Sequence, residues 1–368
     1  MLIGVVAGPT SVEAMLVERT PFGRLVSGGR RVRTDVDGPT HFVPLALERQ
    51  LPPGPGGEKG SRQADEERAA DAWVQSIANA VAKLTFGLRT EALRVGVAVD
   101  ARLDGRGRDV VAMREGARVE GLPAAIDKAL RGRGIETASP MSRCLQLGDA
   151  WALGEQTSAL GLLGGLEGGD RSLVVLWDEE VFMAEARRGL VPRGRFEAPG
   201  TRADVGFRGL SARWRAQGGG PRLLPAARSG DAAAIQLLRE AGEILGTRVG
   251  QRLIQGEREA ERVAAEGGRL PGSVRVVVGG AMGRALLADQ LDDRILGGLA
   301  AGIRRALGET PLLARRAGLL PEAAEDSCGL AEGLLQLSRE ASAALIGAAA
   351  LALGDDDPQD AGQETPSG

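Results

Sequence analysis

Apolar and polar positions follow a strand period at the start of the chain. Leu2 to Ala7 (LIGVVA) is a β-rich apolar run closed by Gly8-Pro9, and Val12 to Glu18 (VEAMLVE) is a second run closed by Thr20-Pro21-Phe22-Gly23. Two such runs around a Gly-Pro turn predict a β-hairpin, with a third strand over Leu25 to Arg33. The period then lengthens. Ala69, Ala72, Trp73, Ile77, Ala80, Val81 and Leu84 recur at helical spacing, which predicts a helix from Asp65 to Leu84. Leu93 to Val99 (LRVGVAV) reads as a buried strand, and Pro123 to Leu130 as another helix.

The second half repeats this order. Arg143 to Trp151 (RCLQLGDAW) passes from strand through a turn into a helix, with Asp149 placed as its N-cap. Ser172 to Trp177 and Glu180 to Ala186 form a second predicted hairpin. Asp231 to Leu253 carries Ile235, Leu238, Ala241, Leu245, Val249 and Leu253 along one helical stripe. Val274 to Gly283 is a buried strand ending in Gly279-Gly280 and followed by a helix, and Gly329 to Leu353 reads as a small-residue-rich helix pair. The Pro/Gly-rich and charged stretch 48–68 predicts a mobile loop, and the acidic tail from Asp355 predicts disorder. A hairpin followed by strand–helix alternation in each half argues an α/β protein with duplicated lobes.

Composition narrows the chemistry. A chain of 368 residues is long enough for about two domains, and 43% hydrophobic with 26% charged residues is ordinary for a globular protein. A net charge of -3 gives no electrostatic footprint for nucleic acid or an anionic membrane. Aromatic residues are only 3% with no tyrosine, glycine numbers 55, and Lys59, Lys83 and Lys128 are the only lysines. This reads as the coding bias of a GC-rich genome, so the glycine and arginine enrichment carries little functional weight. Cys144 and Cys328 are too few for a disulfide scaffold, and a single His41 removes most histidine-based metal and acid–base chemistry. No signal peptide and no long apolar span is present, so a cytoplasmic location is expected.

Four ordered segments resemble the ROK family of sugar kinases and repressors. Ile3 to Thr10 (IGVVAGPT) is similar to that family's first phosphate loop, and Leu145 to Glu155 (LQLGDAWALGE) to its Asn-Asp-Ala segment. Val276 to Gly283 (VVVGGAMG) is similar to its adenosine-side strand and turn, and Ser338 to Leu353 (SREASAALIGAAALAL) to its closing helix. The resemblance implies a two-lobed actin-like ATPase fold, a duplicated ribonuclease H-like plan. It places a first lobe over 1–144 with the closing helix 338–353, a second over 145–337, a disordered tail over 354–368, and a ligand cleft between the lobes. It also implies ATP and magnesium as cofactors, Asp149 as the general base on a sugar hydroxyl, Gly8 and Thr10 at the phosphates, and Gly279 and Gly280 at the nucleoside.

This chain departs from the family pattern where phosphate should be held. Val6 stands where the family has a magnesium-associated aspartate, and an aliphatic side chain offers a hard cation no oxygen. Pro9 replaces a loop glycine and has no N–H to aim at a phosphate, so Gly8-Pro9 reads first as a hairpin turn. The second phosphate loop is replaced by Trp177-Asp178-Glu179-Glu180, whose carboxylates would repel phosphate by about 4 kcal/mol per close pair at an effective dielectric near 20. Gly148 stands for the family's asparagine beside Asp149, and Asp100-Ala101 for a Pro-Gly beside the sugar. The stretch from Phe196 to Gly220 has no histidine or cysteine, so the family's zinc motif is missing, and Glu197 and Asp204 are too isolated to replace it.

The expectation is a non-catalytic ROK-like protein, a pseudokinase acting as sensor, scaffold or assembly partner, with no bound cofactor. A divergent hexose kinase using Asp149, or a cleft that binds a sugar or nucleotide without turnover, stands as the alternative. A homodimer through Leu286, Leu287, Leu291 and Ile295 is expected from family habit. No DNA partner is expected, because the chain opens on its first strand and shows no helix-turn-helix.

Overall fold

The computed structural model describes residues 1–36, 59–88, 93–112, 119–162, 171–178, 181–187, 193–196, 205–265, 274–287, 293–321, 330–331 and 333–354. His41, Glu179, Glu180, Glu197, Asp204, Leu291, Cys328, much of the 48–68 stretch and the tail from Asp355 lie outside the described residues. The chain divides into two compact units, Met1–Ala159 with Ser342–Gly368, and Leu160–Ala341. The expected boundary at 144/145 therefore moves to 159/160, and the helix bearing Asp149 goes with the first unit.

The first unit runs β1 (Leu2–Ala7), β2 (Ser11–Arg19), β3 (Leu25–Asp35), α1 (Lys59–Thr85), β4 (Arg94–Val99), β5 (Arg102–Leu103), β6 (Val110–Ala112), α2 (Leu122–Arg131), β7 (Leu145–Gln146) and α3 (Leu147–Thr157). The second runs β8 (Arg171–Trp177), β9 (Val181–Arg187), β10 (Arg193–Phe196), α4 (Phe207–Ala216), α5 (Leu223–Arg228), α6 (Ala232–Ala265), β11 (Val274–Gly279), α7 (Gly280–Leu287), α8 (Asp293–Leu307), α9 (Pro311–Arg316) and β12 (Leu335–Leu337). The chain then returns to the first unit as α10 (Ala343–Gly354). The expected helix pair over 329–353 is thus a short parallel strand followed by one helix.

Each unit is built on a five-stranded mixed sheet of the same plan. The first is ordered β3-β2-β1-β4-β7 and the second β10-β9-β8-β11-β12. In both, the opening three strands are antiparallel neighbours and the last two add in parallel beside the first. The alternating patterns foreseen in the two hairpins become the two faces of these sheets. Ile3, Val5 and Ala7 of β1 join Trp73, Ile77, Val81 and Leu84 of α1 and Ile126 and Leu130 of α2 in one core. The other face of β1 meets α10, where Leu2 clusters with Leu345, Ile346 and Ala349, and Val6 packs on the same group.

Glycine sets the depth of that second contact. A Cβ built on Gly4 of β1 would lie 1.8 Å from the Leu345 carbonyl oxygen, and one on Gly96 of β4 1.7 Å from that of Ala348. On the flank, a Cβ on Gly154 of α3 would lie 1.8 Å from the Ala343 oxygen, and one on Gly347 of α10 1.7 Å from that of Ala150. Backbone rests on backbone at all four points. In the second unit α6 and α8 cross in the same way, with Cβ positions on Gly246 and Gly302 each 2.1 Å from a carbonyl of the facing helix.

Residues 138–144 deliver the chain to β7 and α3, and they are tied down in three places. The Ala138 N–H donates to the Leu93 carbonyl at 2.7 Å and the Cys144 N–H to that of Gly107 at 2.8 Å. Between them, the Met141 N–H donates to Oδ2 of Asp127 at 2.8 Å. Asp127 is buried and its Oδ1 has no partner among the described residues. Burial raises its pKa above the usual carboxylate value, against the opposing effects of the Met141 N–H and of Arg131. The neighbouring Cys144 thiol is pushed up by burial and by the Asp127 charge, so it is a core side chain and no nucleophile.

Two outcomes are expected. Gly96→Ala or Gly347→Ala forces a methyl into a carbonyl that cannot rotate away. Each should cost about 3 kcal/mol or more in urea unfolding, at or above the top of the usual range for overpacking. Gly105→Ala, with open space around its Cβ, should stay within about 0.5 kcal/mol; equal midpoints for all three would refute the packing account. For Asp127, the raised folded pKa means that its relative stabilisation is present below the unfolded carboxylate value near ~4 and is lost as pH rises through the folded value. The melting temperature of Asp127→Asn minus that of the parent should therefore increase from acid to neutral pH. A difference that does not change with pH would show that the carboxylate is not strained.

Candidate functional site

The sequence-predicted residues of the first unit gather at one edge of its sheet. Ala7 at the end of β1 pairs with Val99 of β4, which pairs in turn with Gln146 of β7. The β1–β2 turn and the start of α3 thus leave parallel strands at their carboxyl ends, two strand spacings or about 10 Å apart. Open α/β sheets place ligands at this end.

Asp149 lies there, but not as the N-cap. Gln146 occupies that position with no side-chain cap bond, and Asp149 is in the first turn of α3, 7% exposed. The chain enters the helix directly from β7, without the intervening turn that would have made Asp149 the boundary residue. A carboxylate in a first helical turn is favoured by the partial positive charge of that end. Its position therefore has a structural cause whether or not it handles a proton. Glu155, one and a half turns further on, is fully buried.

The β1–β2 turn is closed on itself. The Gly8 N–H donates to the Ser11 carbonyl at 2.9 Å, and the Gly8 carbonyl accepts the indole N–H of Trp73 at 2.9 Å. Pro9 has no N–H, and the Thr10 carbonyl accepts from Val36 at 3.0 Å while its side chain is exposed. A phosphate loop works by turning several backbone N–H groups outward around an anion. Here the Gly8 donor is committed to the hairpin and the Pro9 donor does not exist. Val6, directly before the turn, is part of the apolar packing against α10. The Trp73 contact was not legible in the sequence, where this residue was only one member of a buried helix stripe; the direction of an indole N–H is set by tertiary packing.

The second unit holds the other two candidates. Gly279 ends β11 opposite Leu176 of β8, and Gly280 opens α7 with φ of 79°. A Cβ on Gly280 would lie 2.6 Å from the Trp177 carbonyl oxygen. The left-handed backbone and the close approach both demand glycine, so a tight strand-to-helix connection accounts for this residue. Beside it, the Trp177 indole donates to the Val205 carbonyl at 2.8 Å, and the Asp178 carbonyl accepts the Phe207 N–H at 2.9 Å. Trp177 and Trp214 of α4 share one core cluster. Among the described residues no group of three His, Cys, Asp or Glu could hold a metal ion, and no helix is long and apolar enough to cross a membrane. Of the residues expected to pair two copies, Leu286 and Ile295 are core and Leu287 is exposed.

No protein-family signature and no curated protein matches the sequence. Solved structures do match over nearly the whole chain. A ROK family glucokinase from Streptomyces griseus, in complex with glucose and AMPPNP, has a TM-score of 0.56 at 18% identity, covering 95% of this chain and 98% of that one. The ROK hexokinase from Thermus thermophilus has a TM-score of 0.54 at 19% identity, covering 96% and 98%. A ROK family transcriptional regulator homologous to the E. coli MLC protein has a TM-score of 0.60 at 13% identity, covering 96% of this chain and 77% of that one. On these matches the chain has the α/β fold of the ROK sugar kinases and regulators.

Proposed function

We propose that this chain is a degenerate ROK protein on a duplicated, actin-like two-lobed plan, and that it acts as a cytoplasmic sensor, scaffold or assembly partner without transferring phosphate. The observation that carries this reading is the β1–β2 turn. Its Gly8 donor is spent on Ser11, Pro9 has none, and Val6 packs against α10 where a kinase of this family needs a magnesium-associated carboxylate. These residues do not fit Mg·ATP. Asp178 adds a carboxylate in the β8–β9 connection, where the family places a glycine-rich phosphate turn.

Phosphoryl transfer depends on positioning and on neutralising phosphate charge more than on the base. Loss of one well-placed electrostatic contact costs about 2.7–4 kcal/mol in an active site, a hundred- to thousandfold in rate. Several such losses leave Asp149 little to act on. The second reading, a divergent hexose kinase with Asp149 as general base, draws on the placement of that carboxylate at the same sheet edge as Gly8 and Thr10. Under it, Gly279 and Gly280 would contact the nucleoside.

The two readings separate in one assay. ATP turnover with glucose, mannose, N-acetylglucosamine and N-acetylmannosamine should stay at background and be unchanged in Asp149→Ala. Calorimetry with Mg·ATP and the same sugars then tells a silent protein from a ligand-binding one. Robust phosphorylation of any of these sugars that disappears in Asp149→Ala would replace the non-catalytic reading with the kinase.

A further inference from the structure

Positive charge is unevenly placed in the second unit. From Phe207 to Gly230 the chain carries Arg208, Arg213, Arg215, Arg222 and Arg228 and no acidic residue. Arginine abundance alone has little weight in this chain, but the absence of acids beside it here is a matter of placement. Five of the 46 basic residues and none of the 49 acidic ones lie in this stretch, which leaves 41 against 49, a net charge of -8, for the remainder.

The fold gathers these arginines on one surface. α4 and α5 touch, and both rest on α6 through Leu210, Trp214, Leu223 and Ala227, which are buried in the core of the unit. The connection between them folds back tightly. Gly218 has a φ of 83°, the Gly219 N–H donates to the Trp214 carbonyl at 2.9 Å, and a Cβ on Gly219 would lie 2.1 Å from the Trp214 indole. With one side of each helix committed to α6, Arg208, Arg215, Arg222 and Arg228 are left exposed. Arg208 and Arg215 are two helical turns apart, about 10 Å along the same face.

Little inside the molecule uses this charge. The side chains of Arg208, Arg222 and Arg228 have no hydrogen bond or ion pair among the described residues. Arg215 donates to the Ser211 carbonyl of its own helix at 3.2 Å. The acids at the margin are already engaged: Glu240 of α6 meets Arg213 at 3.8 Å and accepts from Gln236 at 3.0 Å, and Asp231 accepts the Ala233 and Ala234 N–H groups at 3.0 Å.

We propose that this α4–α5 layer docks an acidic peptide segment of a partner protein. A guanidinium presents a planar fork of donors that matches a carboxylate. Exposed pairs are individually weak, so the partner must present several carboxylates at once. The layer offers nucleic acid bases no stacking platform, because Trp214 is buried and Phe207 half-buried. A duplex or an anionic membrane would extend past the layer onto a chain whose remaining charge is negative. A short acidic segment meets only the arginines. The surface lies wholly within the second unit, and docking there does not depend on whether phosphate is transferred.

Fluorescence anisotropy on the full chain tests this with a labelled decapeptide alternating glutamate and glycine, against its glutamine counterpart. The glutamate peptide should bind at about 50 mM salt and about tenfold more weakly at about 300 mM, where screening is stronger. The glutamine peptide should not bind. Arg208→Gln, Arg215→Gln, Arg222→Gln and Arg228→Gln combined should weaken binding about tenfold or more while melting changes little, since all four are exposed. The same change at Arg33, Arg102, Arg258 and Arg315, exposed arginines outside the layer, should leave binding intact. Absence of binding at millimolar peptide would overturn the assignment, as would equal weakening by the second set of substitutions. So would single-stranded oligo(dT) or phosphatidylserine vesicles that bind more tightly than the peptide.

Discussion

A helix seated backbone to backbone against its neighbours holds the first unit in its shape. α10 is apolar nearly all round, and it approaches β1, β4 and α3 so closely that Gly4, Gly96, Gly154 and Gly347 leave no room for a methyl group. Each leucine or isoleucine that α10 buries contributes about 1.5–3 kcal/mol, but that gain exists only if the helix can come within reach. The glycines supply the reach. They also explain why a segment so distant in sequence belongs with the first strands: the surface that β1 and β4 present on this face is shaped to receive it.

The same contact bears on the site. Because strands alternate faces, a residue that shares a face with Leu2 and Gly4 is turned toward α10, and Val6 is that residue. Its side chain is absorbed into apolar packing and offers a hard cation no oxygen. Two residues on, the chain closes a hairpin in which the Gly8 N–H and carbonyl are both engaged, the second by Trp73 from α1. The turn is thus held by the core on one side and by its own hydrogen bond on the other. Its local chemistry is that of a structural hairpin. The second unit reaches a similar outcome at its own edge, where Gly280 is required by a left-handed backbone and by the Trp177 carbonyl.

Much of the fold was legible because periodicity reports burial. The strands at Leu2–Ala7, Ser11–Arg19, Arg94–Val99, Arg171–Trp177 and Val274–Gly279, and the stripes of α1 and α6, all fall where alternation or helical spacing put them. The short elements were not. β12 has three residues, and its identity as a strand comes from pairing with Val276, Val277 and Val278, a long-range contact without a local pattern. Leu286 and Ile295, expected at a dimer face, are core, because the elements that cover them lie elsewhere in the chain.

By itself, the sequence determined the residue types at the decisive positions and the order of the secondary elements. It placed valine at 6, proline at 9 and aspartate at 178, and no folding can give those side chains or that missing N–H another chemistry. Only the tertiary structure decided what surrounds them. Asp149 became a first-turn residue and not a cap because β7 runs straight into α3, and it joined the first unit because Gly154 and Gly347 let α3 pack on α10. The arginines of α4 and α5 likewise form one outward layer only because Leu210, Trp214, Leu223 and Ala227 hold both helices to the core. Local pattern reports which face of an element is buried; what it is buried against depends on contacts between distant segments.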